Sequence, residues 1–215
     1  MFKKFVDNLT KTLGITTNKI DDLIKGSNQY ITALENLTRE VKKTIDALEA
    51  YAESETPSLG QAINSLASTF DIIEKDNTEK VKRLREEYIE PLNGLLSSLK
   101  TLETEQTQAE KTYKELEKAE KHLSKVQSKP KEKLKPNEIE TAEAALNTAK
   151  DAATKEEADV KSATQAFNKE KLETIQKILK NMVDIETVYH KKILDSIADV
   201  GTKADAIKVE EESKI

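Results

Sequence analysis

Apolar residues recur along this chain at alternating steps of three and four for tens of residues at a time, with little to interrupt them. From about Asn18 to Ser54 the stripe reads Ile20, Ile24, Ser27, Ile31, Leu34, Thr38, Val41, Ile45, Leu48 and Ala52. Such spacing, held over successive heptads, is a coiled-coil seam. A second stripe lies beside it at strict sevens: Leu23, Tyr30, Leu37, Thr44 and Tyr51. Two adjacent stripes make a face wider than a two-stranded coil requires, so this helix needs neighbours on two sides. With five glycines and four prolines among 215 residues, the chain cannot punctuate a dozen strands. The fold class is all-α, built from a few very long helices.

Ser54, Pro57 and Gly60 break the first helix. A second segment runs from about Ser58 to Ser128, with a seam through Leu59, Ile63, Leu66, Phe70, Ile73, Asn77, Val81, Leu84 and Tyr88, resuming at Leu92, Leu95, Leu99 and Leu102. The steps from Ile73 through Asn77 to Val81 form a stutter that unwinds a supercoil locally. Pro91 lies mid-segment, where it removes an amide donor; because the seam continues on both sides, a kink is expected there rather than a break. The stretch SKPKEKLKPNE, with Pro130 and Pro136, is the clearest turn. A third segment follows from about Asn137 to Val200, with Gly201 as its expected stop. Its first half is alanine-rich; its second half carries Phe167, Leu172, Ile175, Leu179, Met182, Ile185, Tyr189, Ile193 and Ile197. Small residues suit close approach of two helices and large ones a thicker bundle, so the molecule should be thin near residues 110 to 160. The expected organisation is an amphipathic N-terminal helix at 1–14, a helical domain at 15–201 and a polar, mobile tail at 202–215.

Helices of about 55, 105 and 95 Å, at the standard rise per residue, cannot fold back into one globule. Much apolar surface at the thick end would stay in water unless a second copy covered it. Exposing on the order of 1,000 Å² of it would forfeit tens of kcal/mol, more than a domain's net stability. An elongated dimer joined as a six-helix bundle is the simplest solution. Its core or dimer interface would draw on Ile20, Ile24, Ile31, Leu34, Val41, Ile45, Leu66, Phe70, Ile73, Ile185 and Tyr189.

Other chemistry is thin. The chain has no cysteine, so no disulfide, thiolate metal site or thiol nucleophile. His122 and His190 stand in no metal-ligand spacing, and there is no phosphate loop, catalytic triad or cofactor box. No enzyme and no cofactor are expected. A net charge of −5 makes a poor nucleic-acid binder. No apolar run approaches the roughly 20 residues that span a bilayer, and the N-terminus is too polar for a secretory signal. The chain reads as soluble and cytoplasmic.

The phrase Tyr88-Ile-Glu-Pro91-Leu ahead of a long lysine-rich coil, the later run Phe167, Leu172, Ile175 and Tyr189, and three long helices in about 200 residues together resemble a BAR domain, of the shorter three-helix type typified by arfaptin and amphiphysin. The resemblance covers nearly the whole chain. It implies a crescent-shaped homodimer of kinked, antiparallel helices that binds anionic phospholipid membranes and senses or generates curvature. An arfaptin-like scaffold holding a small GTPase, or a structural spacer without lipid affinity, are the alternatives.

Charge placement bears on that choice. Residues 121–135 hold Lys121, Lys125, Lys129, Lys131, Lys133 and Lys135 against one acid, Glu132. At the tip of each arm this cluster would attract anionic headgroups at about 1 kcal/mol per lysine; a polar turn can also be lysine-rich for solubility alone. Lys80, Lys82, Arg83 and Arg85 form a second basic group, but Glu79, Glu86, Glu87 and Glu90 among them fit a salt-bridged helix face equally well. Lys161, Lys169 and Lys171 could line the same concavity. At the N-terminus, Phe2, Phe5 and Leu9 share a helical face with lysines off it, which suits insertion into a bilayer interface or capping of the dimer core.

Overall fold

The structure is a computed structural model that describes residues 2–213, with side chains described from residue 16 onward. The described residues are helical almost throughout and contain no strand. Helix α1 spans Phe2–Ala52, α2 Pro57–Leu84 and α3 Glu90–Gln127; a π-helical turn, Arg85–Ile89, joins α2 to α3 without a break. A 3₁₀ turn at Lys131–Lys133 leads to α4, Glu138–Asp205, and then to α5, Val209–Glu212.

Local chemistry explains the boundaries. Pro57 opens α2, where its fixed φ suits a first helical turn. Gly60 is buried and donates its amide to the Thr56 carbonyl at 2.7 Å; an added Cβ would come within 3.1 Å of the Ala52 carbonyl oxygen, so a larger residue would push the start of α2 a few tenths of an ångström from the end of α1. Before α4, Asn137 takes the left-handed conformation (φ 61°), which Asn tolerates better than other side-chain-bearing residues. Two expected boundaries move. Gly201 has no positive φ and lies inside α4, which continues to Asp205. Within the expected polar tail, residues 202–205 complete α4 and Val209–Glu212 form α5.

The chain divides into two compact units. The first combines Met1–Asp21 with Gly94–Thr174. There α3 and α4 run antiparallel, with Ser98 Oγ donating to Glu170 Oε1 at 2.9 Å. Thr17 Oγ1 of α1 donates to Glu103 Oε1 at 3.2 Å. The buried residues are large in one stretch (Leu95, Leu99, Leu102, Phe167) and mostly small in another (Ala109, Thr112, Ala142, Ala153, Val160).

The second unit combines Asp22–Asn93 with Ile175–Ile215. Its core gathers Ile31 and Leu34 of α1, Leu84, Ile89 of the π-turn and Ile185 of α4, with Val81, Tyr88 and Met182 packed against them. Two expectations about the seams change here. On α2 the expected seam residues Asn77 and Leu84 are buried, but in the first half of the helix Ala62, Ser65, Ala67 and Thr69 are buried while Leu66, Phe70 and Ile73 are half-buried. On α4, Leu172 of the first unit and Leu179 of the second are exposed, and Ile178 and Ile185 are buried. Helical periodicity identifies an apolar face but cannot say which of two faces meets the chain itself.

Candidate functional site

The lysine-rich turn lies in the first unit. Lys121 and Lys125 occupy the last turns of α3, and Lys129, Lys131, Lys133 and Lys135 the connection to α4; all six are exposed. Lys129 Nζ lies 2.5 Å from Glu138 Oε1, the one ion pair made by these six among the described residues. The Lys135 amide donates to the other oxygen of Glu138 at 3.1 Å. The hydrogen bond from Lys129 is the largest cause holding the Glu138 carboxyl below its usual range. Glu138 thus secures the start of α4 and leaves five ammonium groups facing solvent.

The second basic group is organised differently. Lys80 is 4% exposed, and its Nζ lies 2.7 Å from Glu186 Oε2, 4.3 Å from the Tyr189 ring centroid and 5.5 Å from that of Tyr30. Burial pushes its pKa down, but hydrogen bonds with Glu186 and Tyr30 outweigh that and hold it above the ordinary lysine value. A charge so enclosed cannot meet a headgroup, so Lys80 leaves the set of membrane-contact candidates. Arg83 is bound to Glu87 at 2.7 Å and to Asp184 at 2.9 Å, and Arg85 to Glu35 at 2.7 Å. Lys82 is exposed and outside this network.

The Lys80–Glu186 and Arg83–Asp184 pairs belong to a ladder between α2 and α4. Ser65 Oγ donates to Asp199 at 2.7 Å, Lys192 to Asp76 at 2.7 Å, Lys80 to Glu186 and Arg83 to Asp184. With Thr69, whose hydroxyl donates to the Ser196 carbonyl at 3.5 Å, the steps from 65 to 69, 76, 80 and 83 follow the helical repeat as faithfully as any apolar seam. A polar stripe with that period was the available signal for this interface; apolar periodicity alone passes over it.

On α4, Lys161 and Lys169 are exposed, and Lys171 is half-buried with Nζ 5.9 Å from the Phe167 ring centroid. Ile20, Ile31, Leu34, Val41 and Ile185 are buried, while Ile24, Ile45 and Tyr189 are half-buried. The backbone of α1 passes through Gly14 as one helix, and the side chains of Phe2, Phe5 and Leu9 lie outside the described residues.

At Pro91 the irregularity falls in the preceding turn. The Glu90 amide reaches back five residues to the Arg85 carbonyl, and Pro91 has no amide to offer the Glu87 carbonyl. Asn181 of α4 supplies a donor, its Nδ2 lying 3.4 Å from the Glu87 oxygen.

Among the described residues no cluster of three or more His, Cys, Asp and Glu could hold a metal ion. No helix among them is long and apolar enough to cross a membrane.

Comparison with known proteins places this geometry. The amphiphysin BAR domain from Drosophila superposes with a TM-score of 0.78 at 14% identity, covering 99% of this chain and 96% of that one. The Hof1p F-BAR domain gives 0.57 at 10% identity, over 97% of this chain and 90% of that one. The N-terminal I-BAR domain of D. discoideum IBARa gives 0.51 at 16% identity, over 97% and 95%. The fold is therefore that of BAR domains. In sequence, the chain is 26% identical over 170 residues to CBY1-interacting BAR domain-containing protein 1 of Mus musculus, and 24% identical over 194 residues to the Danio rerio protein of that name. These matches cover 77% and 90% of this chain but 57% and 63% of the relatives' lengths. The model of the FAM92 protein family matches residues 3–213, and the chain belongs to that family.

Proposed function

We propose that this chain acts as a homodimeric, peripheral membrane module on the cytoplasmic side, binding anionic bilayers and sensing or imposing curvature, with Lys121, Lys125, Lys129, Lys131, Lys133 and Lys135 as its principal contact. The observation that carries this reading is the distribution of charge. The second unit carries a net charge of −6 and the first a net charge of +1, and the turn of the first unit holds six exposed lysines beside a single acid. The acidic second unit, with Lys80 enclosed and Arg83 and Arg85 paired, is the weaker candidate for lipid attraction. Each lysine near an anionic surface contributes about 1 kcal/mol, and a dimer bears two such turns, whose joint engagement multiplies affinity.

Vesicle co-sedimentation tests the reading. The chain should sediment with vesicles of phosphatidylcholine and phosphatidylserine, not with phosphatidylcholine alone, and added salt should weaken binding by screening. Replacing Lys129, Lys131, Lys133 and Lys135 with glutamate should reduce binding at least tenfold while circular dichroism stays unchanged. Undiminished sedimentation of that variant would remove the turn from the mechanism.

A second reading, a protein scaffold, is favoured by the exposed Leu179, Val183, Leu194 and Ile197 on α4 and by the relatives' printed name, which makes them partners of CBY1. A pull-down comparing CBY1 with a nucleotide-loaded small GTPase distinguishes the partner classes.

A further inference from the structure

The first amides of α2 are capped from the far end of the chain. Thr56 stands at the N-cap position with extended backbone (φ −66°, ψ 155°), yet its side chain makes no capping bond to its own helix. The opening amides of a helix have no partner within it. Here Glu212 provides one: the Ser58 amide donates to its two carboxylate oxygens at 3.1 and 3.3 Å. The Leu59 amide and the Thr56 hydroxyl reach the same carboxylate, and together, Thr56 foremost, they hold its pKa below the usual range. In return the Lys208 amide donates to Ser58 Oγ at 3.0 Å. Helix α5 has no buried residue, and Val209 is largely exposed. Polar contacts, rather than apolar packing, hold α5 in place.

We propose that residues 206–213 form a latch on the N-terminus of α2 and that phosphorylation of Thr56 opens it. Thr56 lies partly exposed in the α1–α2 turn and precedes Pro57, the dipeptide that proline-directed protein kinases act on. In the transfer, Thr56 Oγ1 bonds to the γ-phosphorus of a nucleoside triphosphate, the bond to the departing nucleoside diphosphate breaks, and the hydroxyl proton passes to the kinase's base. The resulting dianion occupies the N-cap, whose side-chain oxygens bond the second or third amide of the helix. In α2 those amides belong to Ser58 and Leu59, the donors that Glu212 now uses. A phosphate there is favoured by the helix dipole and repels the acidic run Glu210, Glu211 and Glu212. One anion replaces the other: α2 keeps its cap and the acidic C-terminal segment leaves.

Amide hydrogen exchange on the full chain tests this, comparing the wild type, Glu212→Gln and a chain carrying phosphothreonine at position 56. In the wild type the Lys208 and Ser58 amides should be protected. Glu212→Gln should speed exchange at both by about tenfold, the scale of losing charge-assisted hydrogen bonds. Phosphothreonine should speed Lys208 alike while Ser58 and Leu59 stay protected, which separates replacement of the cap from its loss. Thermal unfolding of each form checks that the rest of the chain stays folded. Wild-type exchange at Lys208 in Glu212→Gln would overturn the latch, and wild-type exchange there in the phosphorylated chain would overturn the switch.

Discussion

A lysine enclosed in a helix bundle persists only where its charge is answered, and Lys80 is answered by Glu186 and by two tyrosine rings. The two partners are not equivalent. Lys80 is 4% exposed, whereas Glu186 retains 27% of its side-chain surface and has His190 at 3.5 Å. Removing the carboxylate strands a buried cation; removing the cation leaves an anion that water can reach. Glu186→Gln should therefore cost about 3 kcal/mol and Lys80→Met about 1 kcal/mol or less, as read from urea unfolding midpoints. The pH response follows from the same groups. The raised pKa of Lys80 contributes stability at all pH values below the ordinary lysine value of about 10.4, lost as pH rises through the folded value. The lowered carboxyls of Glu87, Glu138, Asp199 and Glu212 contribute above the unfolded carboxylate values of about 4, and that contribution is lost as pH falls through the folded values. Thermal midpoints should be nearly level between about pH 5 and pH 10 and should decline on both sides.

At the scale of the element, the α2–α3 join shows how a proline is absorbed without ending a helix. Pro91 withdraws one donor, the π-turn shifts the Glu90 bond to Arg85, and Asn181 attends the Glu87 carbonyl from α4. The turn is also tied down by Arg83, held between Glu87 and Asp184. If Asn181 serves the group that Pro91 leaves open, the two side chains are energetically coupled. Asn181→Ala should cost about 1 kcal/mol in the natural chain and markedly less beside Pro91→Ala, where a backbone amide returns. A double-mutant cycle measures that difference. Equal costs in both backgrounds would assign Asn181 some other role. The proline and the stutter could be read from the sequence, but the position of the π-turn could not. It depends on which carbonyls a neighbouring helix can satisfy.

For the whole molecule, the second unit taken singly leaves a regular apolar stripe in water. Leu23, Tyr30, Leu37 and Tyr51 are 38, 39, 47 and 55% exposed and, with Thr44 between the last two, fall on a seven-residue repeat along α1. Burying such side chains fully is worth about 1.5–3 kcal/mol each, which would supply the driving force for the proposed pairing with a second copy. The particle mass should be twice 24.1 kDa, and Leu37→Glu with Tyr51→Glu should return it to the single-chain value in sedimentation equilibrium while helicity persists. An unaltered doubled mass would place the contact on another face. Dimer loss should also weaken vesicle binding, because two lysine turns would then no longer act together.

Helical class, the two stripes of α1, the turn at Pro130 and Pro136 and the lysine cluster all follow from residue order, because coiled-coil spacing, proline and charge density act over a few residues. The fate of Lys80 and the capping of α2 by Glu212 do not. In each, the deciding partner lies about 100 or more positions away, and only the folded arrangement determines whether a cation meets solvent, a carboxylate or an aromatic ring.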